Sequence, residues 1–167
     1  MANDGSLMSL LEAWVLTQVQ TLDAFDADNS FHYGGVPSFD AVMKVLNDIR
    51  SRRNPCCLVM FDGCRPWDLN SEGDQDFLLD YTIWIGNQSM RQDGAEARLG
   101  ATVGETVTPG TNLLCEQVCN LLSNDDPAQA STLWRAAATA ARPARQLTLE
   151  KGFSVMQLTL EVRACQK

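Results

Sequence analysis

A chain of 167 residues, 45% of them hydrophobic, is long enough for one domain with a sizeable core that needs no metal or disulfide support. Its formal net charge of −8 excludes a general nucleic-acid binder, which carries a basic face. No run is long enough to cross a bilayer as a helix, and the start "MANDGSLMSLLEAWVL" lacks the basic region of a signal peptide, which predicts a reducing compartment and six free cysteines.

Leu7, Leu10, Leu11, Trp14, Val15, Val19 and Leu22 recur at helical spacing and predict a first helix. "DAFDADNSFHYGG", Asp23 to Gly35, breaks the pattern and reads as an exposed loop anchored by Phe25, Phe31 and Tyr33. "PSFDAVMKVLNDIRSRR" predicts a second helix, capped by Ser38, with Asp40 in its first turn and Arg50, Arg52 and Arg53 near its end. Its apolar face is Phe39, Val42, Val45, Leu46 and Ile49.

"CCLVMF" is apolar on both faces of a strand and must be internal, with cover on both sides. Asp62 and Gly63 end it, and Pro66 makes "GCRPWD" a turn or loop. Asp76 to Asn87 predicts a second strand, with Phe77, Leu79, Tyr81, Ile83 and Ile85 on one face. The glycine-rich, charged stretch from about 88 to 107 reads as a flexible arm. Thr108 as cap and Pro109 in first position announce a third helix with Leu113, Leu114, Val118, Leu121 and Leu122 as its stripe.

"AAATAARPA" carries no usable period. Arg145 to Glu150 alternates as a strand, and so does "FSVMQLTLEVRA", with Met156, Leu158, Leu160 and Val162 facing one way. Lys151 and Gly152 form either a hairpin turn or a bulge in one strand. The whole predicts a single α+β domain over residues 1–167: a mostly antiparallel or mixed sheet of about four strands with about three helices on one face.

No catalytic, cofactor or metal set assembles from these residues. Cys56 and Cys57 point to opposite faces of a strand, so one ion cannot take both, and they read as buried hydrophobes. Cys64 sits beside Arg65, which favours its thiolate, but the chain's single histidine, His32, belongs to a distant loop. Cys115 and Cys119 share a helix face without further ligands to complete a site, and Cys165 reads as free. Asp62, Asp68, Glu72, Asp74, Asp76 and Asp80 form a carboxylate-rich stretch. Within it, Asp68, Asn70, Glu72 and Gly73 fall at calcium-loop positions, but Leu79 stands where the bidentate glutamate belongs.

Charge is polarised. The first basic residue is Lys44, behind Glu12, Asp23, Asp26, Asp28 and Asp40, whereas Arg142, Arg145, Lys151, Arg163 and Lys167 crowd the other end. Such polarity reads first as a solvated face at each end; the alternative is that it orients subunits head to tail, acidic end against basic end.

The order of an amphipathic helix, "CCLVMFDG", "FLLDYTIWIGN", a glycine-containing loop, the helix from "TPGTNLLCEQVCNLL" and "LTLEKGFSVMQLTLEV" resembles the small tail or neck proteins of Mu-like phages and prophages, related in fold to tail terminators. The resemblance runs from about Leu7 to Val162 and rests on order and texture. It implies a structural, non-enzymatic virion subunit that forms a ring with itself and meets other tail proteins, in the tail or neck and, during assembly, in the host bacterial cytoplasm. It implies no membrane partner, no specific nucleic-acid binding and no chemical role for any residue. The "AAATAARPA" insertion and the density of cysteine depart from the family pattern. The competing readings are a small cytoplasmic enzyme using Cys64 or the acidic loop, and a monomeric protein-binding module.

Overall fold

The computed structural model describes residues 6–35, 38–50, 53–69, 75–89, 91, 93–124, 134–149 and 152–166. Along the chain run α1 (Leu7–Val19), β1 (Ser30–His32), α2 (Phe39–Arg50), β2 (Cys56–Leu69), β3 (Gln75–Gln88), α3 (Gly94–Leu99), β4 (Ala101–Val103), β5 (Thr106–Thr108), α4 (Thr111–Asn124), β6 (Trp134–Leu149) and β7 (Phe153–Gln166). The fold is α+β: a five-stranded mixed sheet in the order β1-β2-β3-β7-β6, and a separate two-stranded hairpin, β4-β5.

Two long antiparallel hairpins form the body of the sheet. β2 pairs with β3 and β6 with β7, and β3 joins β7 in unbroken register from Asp76↔Cys165 to Gln88↔Phe153. β1 adds a short parallel strand, Ser30↔Cys57 to His32↔Val59, inside the stretch expected to be loop. Phe25 is buried and the turn before β1 is held by Asp26, whose Oδ1 accepts from the backbone of Asp28 and Asn29.

Helices cover both faces of the sheet, not one. α1 and α4 lay Leu11, Val15, Val19, Leu114, Val118 and Leu122 on the face of Cys57, Val59, Leu79, Tyr81, Ile83, Ile85, Leu158 and Leu160. α2 crosses to the other face and sets Val42, Met43 and Leu46 against Cys56, Leu58, Trp84, Phe153 and Val155. This follows from the doubly apolar strand: a residue run buried on both sides needs two layers of cover. Ser38 caps α2 as expected, its Oγ accepting from Ala41 at 3.3 Å. The Tyr81 hydroxyl donates to the Met8 carbonyl at 3.1 Å and ties α1 to the sheet.

β2 continues through "GCRPWD" where a turn was expected. β1 ends its pairing at Val59, so beyond that point β2 is an outer strand among the described elements. Proline is tolerated on outer strands, and register shifts at Phe61/Gly63 and Pro66/Asp68 absorb the irregularity. The stretch at 88–107, read as a flexible arm, carries α3 and the β4–β5 hairpin among its described residues. Asp93 caps α3 by accepting from Ala95 and Glu96, and Ala97 is buried.

The third expected helix starts later than Thr108. Thr108 closes β5, and α4 opens at Thr111, with the Gly110 carbonyl accepting from Leu114 at 3.1 Å. Gly100 and Gly110 approach here backbone to backbone. Gly100 holds φ +85°, and a Cβ on it would lie 2.5 Å from the Thr108 carbonyl oxygen. The second hairpin turn falls at Gly152, φ +69°, between paired Leu149 and Phe153.

Candidate functional site

The six cysteines are dispersed and unbridged. Cys56 and Cys57 are both fully buried, one in each core. Burial, followed by the neighbouring Cys56, pushes the Cys57 thiol well above its ordinary value, which removes it as a nucleophile. Cys64 is exposed on β2, in register with Leu79. His32 is in register with Val59, five residues before Cys64 on the same strand, so about 16 Å of strand separates the two positions. A thiol and its base must be within hydrogen-bond reach, and the fold does not bring this pair together. His32 instead lies 3.5 Å from Glu12 of α1.

Cys115 and Cys119 meet on one face of α4. The hydrogen bond between them raises the Cys115 thiol, with burial adding to it, and lowers that of Cys119. Cys115 is buried and Cys119 half-buried, so the donor lies inside and the lowered thiol is the more accessible of the two. Cys165 is half-buried on β7. Among the described residues no group of three or more His, Cys, Asp or Glu is placed to hold a metal ion.

The acidic stretch is divided by the β2–β3 hairpin. Asn70, Glu72 and Gly73 of the calcium-like pattern, and Asp74 of the acidic stretch, lie outside the described residues; Asp68 is in register with Asp76 across the hairpin. Three carboxylate residues, Asp76, Asp80 and Glu161, pair with arginines of other strands. Arg65 of β2 reaches Asp80 of β3 at 3.3 Å and Glu161 of β7 at 3.4 Å, and Arg142 of β6 reaches Glu161 at 2.6 Å. Asp76 accepts from Arg163 through both Nε and Nη2, and Asp62 accepts from Thr82 at 3.0 Å. The result is a charged lace across four strands on the face that α2 covers at its other end. A carboxylate opposite a guanidinium orders strands; general acid–base work needs a proton donor and acceptor facing a substrate.

Sequence reasoning could not find this lace, because Arg65 and Glu161 stand 96 positions apart and meet only through the strand order. An open groove of about 440 Å³ is lined by Thr21, Leu22, Asp23, Ala24, Pro109 and Gln117; Asp23 is its one ionisable side chain, and the Thr21 hydroxyl donates to the Gln18 carbonyl. No helix among the described residues is long and apolar enough to cross a membrane.

The features left are edges and charge. β6 is the outermost strand on one side of the sheet, and β1 with the distal half of β2 is the margin on the other. No protein-family model matches the chain, and no curated protein matches it.

Proposed function

We propose that this chain is a structural subunit of a phage tail or neck, tail terminator-like or tail-completing, which assembles with copies of itself into a ring and turns over no substrate. The observation that carries the reading is the pair of long sheet margins. β6 runs for 16 residues, and no described strand pairs with its outer side. On the far side β2 runs past β1 from Met60 to Leu69. Long open edges are a liability in a solitary protein, and a closed assembly covers such surfaces.

The resemblance in element order to Mu-like tail and neck proteins supports the same reading. So does the use of Arg65, Asp76, Asp80, Arg142, Glu161 and Arg163 to lace strands together. The ring's partners are other tail proteins. Its location is the virion tail or neck, reached through assembly in the host bacterial cytoplasm.

The test is electron microscopy of particles made with this gene interrupted by an early stop codon. Tails of abnormal length, or heads and tails that fail to join, are expected. Normal, infectious particles would contradict an essential role in tail completion.

A further inference from the structure

The two margins of the sheet carry opposite charge, and five strands set them about 19 Å apart. On one margin, β6 bears Arg135, Arg142 and Arg145 and contains no acidic residue from Trp134 to Leu149. Arg142 and Arg145 are exposed. On the other margin, the loop entering β1 exposes Asp23, Asp26 and Asp28, and no lysine or arginine precedes Lys44. The Asn29 carbonyl accepts from Cys57 at 2.8 Å, which fixes this loop to the rim of the sheet.

Local partners weaken each pole without cancelling it. Asp28 lies 3.3 Å from Arg53, both exposed, and Asp26 caps its own turn. Arg142 pairs with Glu161, which Arg65 shares, and the Arg145 guanidinium lies 5.4 Å from the Phe39 ring centroid.

We propose, building on the ring reading, that copies of this chain dock head to tail, the Arg142/Arg145 rim of β6 against the Asp23–Asp28 rim beside β1 of the next copy. A two-fold contact made edge to edge through either margin would place that pole against itself, so like charges would face one another across it. Edge to edge, unlike poles on opposite margins meet in a heterologous contact, which closes into a ring when the rotation allows. Pro143 and the register shifts at Ala138/Ala140 and Pro143/Arg145 interrupt the outer row of β6. Docking therefore runs through side chains, not through one continuous intersubunit ladder.

The experiment uses two charge-reversed chains: Arg142→Glu with Arg145→Glu, and Asp23→Lys with Asp28→Lys. Circular dichroism checks their fold, and sedimentation velocity reads association at low ionic strength over rising concentration. Wild-type chains should associate, and should dissociate as sodium chloride is added. Each reversed chain alone should associate about tenfold more weakly or worse. An equimolar mixture of the two should associate again, since the native β6 rim of one chain meets the native acidic rim of the other and the two reversed rims are themselves of unlike charge.

If the reversal on β6 disturbs folding beside Glu161, Arg142→Gln with Arg145→Gln and the salt titration of the wild type carry the same comparison. Reversed chains that associate like wild type would overturn this contact and leave the ring reading standing. A mixture that does not associate again would overturn the head-to-tail geometry. A wild-type chain monomeric at every concentration would overturn the contact, while the stop-codon particles judge the ring separately.

Discussion

Cys56 and Cys57 are neighbours in sequence and belong to two different cores. Cys56 packs under α2 with Trp84 and Phe153, and Cys57 under α1 and α4 with Val59 and Ile83. β2 is thus the wall between two hydrophobic layers. Val59→Asp would place an unpaired charge in the deeper one, where Val59 is fully buried. The expected cost is about 3–5 kcal/mol, a large part of a small domain's stability. Urea denaturation should show a collapsed midpoint or no folded baseline; a midpoint near wild type would contradict the two-layer arrangement.

Thiol labelling gives a second, independent check. Cys64 and Cys119 should react in the native protein, whereas Cys56, Cys57 and Cys115 should react only on unfolding. Because the hydrogen bond from Cys115 lowers the Cys119 thiol, Cys119 should stay reactive at lower pH in the wild type than in a chain without that donor. Cys115→Ala should slow Cys119 labelling at neutral pH. Mass spectrometry of alkylated peptides reads each site.

Gly100 at the end of α3 and Gly104 between β4 and β5 separate steric need from simple flexibility. Gly100 has φ +85° and ψ 174°, a region almost confined to glycine, and a Cβ there meets the Thr108 carbonyl. Gly100→Ala should cost about 1–3 kcal/mol or more. Gly104, at φ +63°, has nothing within 4 Å of its would-be Cβ, so Gly104→Ala should cost less, about 1 kcal/mol. Equal costs in chemical denaturation would mean that the Gly100–Gly110 approach does not constrain the fold.

Stability should fall on the alkaline side. Burial raises the Cys57 thiol and the Tyr81 phenol in the folded chain above their ordinary values of 9.0 and 10.0. Below those values both states hold their protons and the stability is fully present. As pH rises above them the unfolded chain ionises while the folded one does not, and stability is lost. Cys57 alone contributes a slope of about 1.4 kcal/mol per pH unit in that window. Melting temperatures from about pH 8 to about pH 11 check the slope. Cys57→Ala should flatten it.

The strands legible in the sequence are those whose alternation had to match a half-buried position. Met156, Leu158, Leu160 and Val162 show this on β7, as do Phe77, Leu79 and Tyr81 on β3. β6 was legible only at its end, because a run of alanines has no contrast between faces and Pro143 argues against a strand in any but an outer position. β1 and α3 are too short for a period to register, and they form because neighbouring structure supplies their partners. The opposite orientations of Cys56 and Cys57 needed only strand geometry. The Arg65–Glu161–Arg142 lace and the opposed charged margins needed strand order, which a single sequence does not contain.

The most direct measurement of the central claim is immunogold labelling of purified particles carrying an epitope on this chain, with copies per particle counted by quantitative mass spectrometry. The account predicts label confined to one end of the tail and a small, fixed copy number matching one ring. Purified infectious particles that lack the chain, or label spread along the tail, would contradict it.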